Sequence, residues 1–311
     1  MMADSAPLPD AAAANWVDRY APGPLRPWLK LGRFDRPTGI WLLMLPGWQG
    51  VALAAAMAHG APSLSLLVKI FFGAALMRAA GCAYNDIVDR DIDAKVARTA
   101  ARPIPAGQIG VGQAWAFVVA CCAISFAILL TLGPLAIGLG VGSLVLVAAY
   151  PFMKRITWWP QAWLGLTFNW GALLGFAAAS GQLTLPAYLL YAAGLFWTLG
   201  YDTIYAVQDL EDDALAGVKS SARRLGTQVP RAVFGFYLVS LLLLAAAGYR
   251  AHLTPVFYAG LGAYAVHLIW QSRRIHVDDP VGALRLFKSN SWAGLILFVA
   301  IVLGVRLVFD F

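Results

Sequence analysis

The stretch Leu76–Asp93, "LMRAAGCAYNDIVDRDID", decides how this chain is read. A long apolar run ends in it, and Asp86, Asp89, Asp91 and Asp93 follow at once. Carboxylates this crowded repel one another, and beside hydrocarbon they are costlier still. Something must offset them.

Outward from this stretch, the composition is that of an integral membrane protein. Of 311 residues, 60% are hydrophobic and only 13% charged, with a mean hydropathy of +0.68. Soluble domains carry about 25% charged residues. Apolar stretches long enough to span a bilayer, which takes ~20 helical residues, lie near 40–59, 64–84, 112–132, 133–150, 159–180, 184–206, 231–250, 254–271 and 290–308. The fold class expected is therefore all-α and polytopic. Residues 1–39 read as an N-terminal segment and 40–311 as the transmembrane domain.

Basic residues set the orientation. Arg26, Lys30, Arg33 and Arg36 precede the first span, and Arg90, Lys95, Arg98 and Arg102 follow the second. Lys154 and Arg155 follow the fourth, Lys219, Arg223 and Arg224 the sixth, and Arg273, Arg274, Arg285 and Lys288 the eighth. The opposite connections are nearly bare. By the positive-inside rule the N-terminus and the long loops are cytoplasmic, and the expected location is a bacterial cytoplasmic (inner) membrane. The first thirty-odd residues show neither a signal-peptide apolar core nor an Arg-rich transit pattern. Within them "PLRPWLKLGRF" reads either as an interfacial helix or as an ordinary lead-in to the first span. The formal charge of +7 reflects topology and phosphate chemistry, so no nucleic-acid partner is expected.

Cys82, Cys121 and Cys122 fall in predicted spans and read as small packing residues. The four histidines are scattered, which argues against zinc. Gly138 and Gly142 read as close helix packing.

A second acidic block, "YDTIYAVQDLEDD" at Tyr201–Asp213, also begins at the basic end of a span. Each block is followed by a basic tail, which suggests a four-helix unit used twice plus one helix. Asn85, Asp89 and Asp93 are four apart and stack on one face of a continuing helix. Asp202, Asp209 and Asp213, spaced seven and four, do the same. Two rows of oxygen ligands without sulfur or imidazole suit Mg²⁺. Solvated helix-capping acids would explain one such block but not two in register. A cation or metabolite carrier is the rival class, but carriers place their acids nearer the midplane.

Lys95, Arg98, Arg102, Lys154, Lys219 and Arg223 surround the acidic blocks. Carboxylates with Mg²⁺ and Lys/Arg hold a diphosphate and neutralise it as it leaves. A diphosphate above an apolar bundle points to an isoprenoid diphosphate and an allylic cation. Such a cation needs a dry, π-rich site, and Phe168, Trp170, Trp197, Tyr201 and Tyr205 are candidates to line it. Arg78, two helical turns before the acidic block, is an intramembrane charge. It either pairs with an internal aspartate or binds the carboxylate of an acceptor substrate.

With these residues in view, the chain resembles the UbiA superfamily of membrane prenyltransferases. The pattern N-D-x-x-D-x-x-x-D is met by Asn85, Asp86, Asp89 and Asp93. Its partner Y-D-x-x-Y-A-x-x-D-x-x-x-D is met by Tyr201 through Asp213. "FDRPTGIWLLMLPGW" and "YPFMKRITWWPQ" extend the likeness from about Gly32 onward. The resemblance implies nine transmembrane helices around a central cavity with a cytoplasmic cap. It implies two Mg²⁺ ions, one held by Asn85, Asp89 and Asp93 with Asp86 counted among the ligands, the other by Asp202, Asp209 and Asp213. Asp89, Asp93, Asp202 and Asp209 would carry the catalysis. Arg98, Arg102, Tyr150, Lys154 and Lys219 would bind the diphosphate, and Arg78 and Arg33 would face an aromatic acid. The motifs favour the branch of the family that prenylates 4-hydroxybenzoate from a polyprenyl diphosphate in ubiquinone biosynthesis. Haem, a naphthoate or homogentisate would be the acceptor in a sister enzyme.

Overall fold

The computed structural model describes residues 15–95, 99–215 and 217–306, with the side chains of 212 and 213 left undescribed. Arg98 and the side chain of Asp213 therefore lie outside the described residues. Among these, all regular structure is helical. Two short helices, α1 (Trp16–Tyr20) and α2 (Arg26–Leu31), precede α3 (Thr38–Met57), α4 (Leu64–Asp93), α5 (Val111–Leu129) and α6 (Pro134–Ile156). Then come α7 (Pro160–Ser180), α8 (Leu185–Tyr205), the short α9 (Leu210–Leu215) and α10 (Ser221–Leu225), and finally α11 (Val229–Arg250), α12 (Pro255–Arg273) and α13 (Pro280–Leu303).

Seven segments among the described residues are long and apolar enough to cross a membrane: α3, α4, α5, α6, α7, the stretch Ser221–Arg250 and α13. Helices α8 and α12 match them in length, but tyrosines, tryptophans and amides lower their hydropathy. Those same residues are where the two helices meet protein: Trp197 and Tyr201 of α8, and Tyr264 and Gln271 of α12, are fully buried. Two helix ends differ from the sequence expectation. Helix α4 runs on through the acidic motif to Asp93, so charge did not end it. Helix α13 starts at Pro280, ten residues before the expected 290, because Asp279 caps it through Gly282 N at 2.8 Å and proline takes the first helical position. Arg285 and Lys288 are therefore helical.

The chain divides into two compact units, Met1–Trp41 with Phe72–Ile128, and Leu42–Phe71 with Leu129–Phe311. The N-terminal segment belongs to the first unit. There Leu31, Ala83, Ile87, Ile104, Ile109 and Ala114 form a small core with Trp28 and Phe117 packed on it.

In the second unit α8 packs against α7, α11 and α13. The tightest helix crossing joins α3 and α7. A Cβ added at Gly50 would stand 2.1 Å from Ala172 O, and one at Gly175 would stand 2.2 Å from Gly47 O. Backbone lies directly on backbone, as small residues allow in a membrane bundle. Gly138 and Gly142, expected to serve this purpose, do not: a Cβ at Gly138 meets nothing within 4 Å, and one at Gly142 reaches only Trp170 at 4.0 Å. Glycine spacing shows that a helix can be approached closely, but not which neighbour takes the opportunity.

Candidate active site

The first unit builds its site from α4 and the segment after α2. Because α4 stays helical to Asp93, Asn85, Asp89 and Asp93 share a face as the spacing requires, with Asp89 1% and Asp93 6% exposed. Asp86, one residue on from Asn85, is turned about 100° from it and is fully buried. Asp86, expected among the metal ligands, is engaged by arginines here. Its Oδ1 and Oδ2 accept from Arg33 Nη2 at 2.6 and 2.8 Å, and Oδ1 also accepts from Arg102 Nη1 at 3.2 Å. A dication is a poor fourth partner for a carboxylate already between two guanidiniums. Arg102 Nη1 also donates to Asp93 Oδ2 at 2.7 Å. The loop carrying it is tied down where Thr99 Oγ1 donates to Asp93 O at 2.8 Å.

Arg33, expected to face a substrate acid, is turned to Asp86. Helix α2 ends in the hydrogen bonds of a Schellman motif, Arg33 N to Lys30 O at 3.1 Å and Phe34 N to Leu29 O at 2.9 Å. Arg33 occupies the position where glycine is usual, at φ 60°. Burial opposes charge on its guanidinium, but the Asp86 carboxylate outweighs it and pushes the pKa up. The guanidinium stays ionised.

Arg78 lies about two turns before the motif on α4, and its head rests on the start of α3. A Cβ at Gly39 would stand 2.6 Å from its Nε and 2.8 Å from its Nη2. Only glycine leaves that space. No sequence signal marked Gly39, because a missing side chain has no chemistry of its own.

In the second unit, α8 ends at Tyr205 and a 3-10 turn, Ala206–Asp209, intervenes before α9. The continuous helix assumed for Asp202, Asp209 and Asp213 is thus interrupted, and the tighter turn shifts the phase between Asp202 and Asp209. Lys154 and Lys219 are brought side by side: Lys219 N donates to Lys154 O at 2.9 Å, and Lys219 Nζ to Ile156 O at 3.2 Å. Tyr150, one turn before Lys154 on α6, packs on the main core. Arg223 stacks over Trp158 at 5.6 Å. Ser221, missed by the sequence reading, fastens this loop: its hydroxyl pairs with Thr203 Oγ1 at 2.7 Å and its N–H reaches Gln161 Oε1 at 3.0 Å.

The aromatic residues expected to line a cation site are mostly core. Trp197 and Tyr201 are 1% exposed, in contact at 5.1 Å, and Trp197 Nε1 donates to Asn290 Oδ1 at 2.9 Å. Phe168 is buried with them. Tyr205 stacks on Phe287 at 4.6 Å and Trp170 on Tyr191 at 5.9 Å. Trp197, Tyr201 and Tyr205 pack at the end of α8 that carries Asp202.

Among the described residues no group of three or more His, Cys, Asp or Glu side chains is placed to hold a metal ion by itself. The donors present, buried carboxylates with an amide beside them, suit a hard cation that takes one or two carboxylates and completes its shell with water and phosphate oxygens.

Residues 43–305 match the UbiA prenyltransferase family. The human mitochondrial 4-hydroxybenzoate polyprenyltransferase is 46% identical over 294 residues, 94% of this chain and 79% of that protein. The Arabidopsis thaliana mitochondrial enzyme of the same name is 44% identical over 292 residues, 94% of this chain and 72% of that protein. The one from Caenorhabditis elegans is 43% identical over 302 residues, 97% and 85%. A UbiA homologue from Aeropyrum pernix K1 superposes with a TM-score of 0.73 at 26% identity, covering 86% of this chain and 98% of that one. A UbiA homologue from Archaeoglobus fulgidus bound to GPP and Mg²⁺ shares the fold, with a TM-score of 0.61 at 19% identity and coverage of 89% and 99%.

These relatives correct the expected bacterial cytoplasmic membrane. They are mitochondrial enzymes of eukaryotes and point to a mitochondrial membrane, while the multi-pass character stands. The basic-loop asymmetry orders the two faces of the bundle but says nothing about which membrane holds it. With 263 consecutive residues matched and both aspartate motifs in order, the chain belongs to the UbiA prenyltransferase family.

Proposed function

We propose that the protein transfers a polyprenyl group from an allylic polyprenyl diphosphate to 4-hydroxybenzoate, at the ring carbon ortho to the hydroxyl. Diphosphate is released, and the step serves ubiquinone biosynthesis. The observation that carries this is identity of 43–47% over most of the chain to enzymes of that name. The reading includes nine spans, α8 and α12 being the two with polar, protein-facing sides, and a cap over the site.

Asn85, Asp89 and Asp93 would hold one Mg²⁺, and Asp202, Asp209 and Asp213 a second; bound there, the ions would supply charge compensation to the leaving diphosphate. Arg98, Arg102, Tyr150, Lys154 and Lys219 grip the diphosphate, and the paired lysines place two cations where its charge develops. Arg78 orients the acceptor by its carboxylate. The allylic C–O bond breaks, its electrons leave with the diphosphate, and the ring carbon forms the new C–C bond. The ring proton then passes to a motif carboxylate or to the departed diphosphate. No covalent enzyme intermediate is needed.

The test is purified protein in detergent with Mg²⁺, geranyl diphosphate and 4-hydroxybenzoate, followed by mass analysis. Prenylated hydroxybenzoate that disappears on chelation supports the reading. Diphosphate cleavage without coupling removes the acceptor assignment, and no cleavage by folded protein removes the reaction.

A further inference from the structure

The acidic motif contains a carboxylate the proposed chemistry does not use. Asp86 is fully buried and meets two guanidiniums that arrive from opposite directions in the sequence, Arg33 from the N-terminal segment and Arg102 from the loop after α4. From this geometry we infer that Asp86 is a positioning residue: it holds Arg102 at the metal face of the motif, and Arg33 holds Asp86. The inference rests on the proposed function, which assigns Arg102 to the diphosphate.

Three features support it. First, Asp86 and Asp93 are seven residues apart on α4, two turns that return nearly to the same face. One nitrogen, Arg102 Nη1, bridges them at 3.2 and 2.7 Å. That bridge fixes the arginine within reach of Asp93, where metal and diphosphate are proposed to sit. Second, Asp86 divides its charge between two arginines. Arg33, with two short bonds to Asp86, takes the larger share and leaves the Arg102 contact long. An arginine so held is ordered yet able to accept a phosphate oxygen as partner. Third, Arg33 keeps a left-handed backbone, φ 60°, at a helix end where glycine is usual. That conformation is unfavourable for a non-glycine residue, and strain of this kind gathers where the surroundings over-determine a residue. The side chain justifies the strain, because a glycine there would leave Asp86 buried with Arg102 alone, at 3.2 Å.

The test separates metal binding from diphosphate binding. Mn²⁺ affinity is read by electron paramagnetic resonance without substrate, and steady-state kinetics give KM for geranyl diphosphate, in the full-length protein purified in detergent. For Asp86→Asn the expected Mn²⁺ affinity stays within about threefold of the parent, while KM for geranyl diphosphate rises at least tenfold. Asp86→Glu, which keeps the charge, recovers part of that loss. Should Asp86→Asn fail to fold, Arg33→Gln with Asp86→Asn puts a neutral amide pair in the same volume, and the same pattern is expected of it. A loss of Mn²⁺ affinity in Asp86→Asn as deep as in Asp89→Asn would overturn the inference and make Asp86 a ligand. An unchanged KM for the diphosphate would overturn it too. Asp89→Asn that still binds Mn²⁺ like the parent would instead remove the proposed metal site, whatever Asp86 does.

Discussion

Replacing Gly39 by alanine tests the role of Arg78 without touching Arg78. The added Cβ would lie 2.6 Å from Nε, 2.8 Å from Nη2 and 3.0 Å from Cζ of that arginine. Ordinary contact begins at 3.4 Å, so the guanidinium must retreat by about 0.8 Å along a flexible side chain. Folding tolerates this: moving the end of a long side chain is cheap, and alanine is favoured over glycine in a helix by up to about 1 kcal/mol. Catalysis does not tolerate it if Arg78 aligns the acceptor, since a misplacement on the order of 1 Å costs roughly 10²-fold. Gly39→Ala is thus expected to keep its unfolding temperature and to lose about 10²-fold in kcat/KM for 4-hydroxybenzoate at saturating geranyl diphosphate. KM for the diphosphate stays near that of the parent, and Arg78→Ala shows the same split. Parental acceptor kinetics in a folded Gly39→Ala protein would refute the reasoning.

Asp89→Ala and Asp209→Ala are each expected to abolish prenylation while the purified protein keeps its helical circular dichroism; near-normal turnover in either would discard that residue as a metal ligand. Gly50→Ala should lower the unfolding temperature in detergent by the equivalent of about 1–3 kcal/mol, since its Cβ would meet Ala172 O and Phe176 N, which are backbone and cannot swing aside. An unchanged unfolding temperature would mean the α3–α7 crossing is looser than described. Asp35 is 3% exposed and its carboxylate oxygens have no hydrogen-bond partner; burial raises its pKa above the ordinary carboxylate value, against the nearby Arg36 and Arg33. A raised folded-state pKa gives stability that is complete below the unfolded value and lost as pH rises through the folded one. Asp35→Asn should therefore stabilise the protein near pH 7 and lose that advantage toward pH 4, as followed by thermal unfolding; equal effects at both pH values would contradict this.

Much of the protein was written in local pattern. Apolar runs of about twenty residues can only be buried helices or spans, so the helical class and most helix positions follow from the chain alone. Four-residue spacing placed Asn85, Asp89 and Asp93 on one face, and α4 obeys because nothing in it breaks helical phase. Oxygen ligands with nearby cations named the kind of substrate before any comparison did. Where two segments distant in sequence had to meet, pattern was silent. Asp86 looked like its neighbours until Arg33, 53 residues earlier, and Arg102, 16 residues later, closed on it. The phase of Asp209 changed because a 3-10 turn follows Tyr205. Trp197, Tyr201 and Phe168 carry the right rings for a cation site, yet burial makes them support for α8. Helical periodicity and composition are properties of neighbouring residues, so the sequence alone determined them. Which buried charge finds which partner, and which glycine lets two backbones touch, depends on contacts between segments far apart in the chain, and only the tertiary structure decided those.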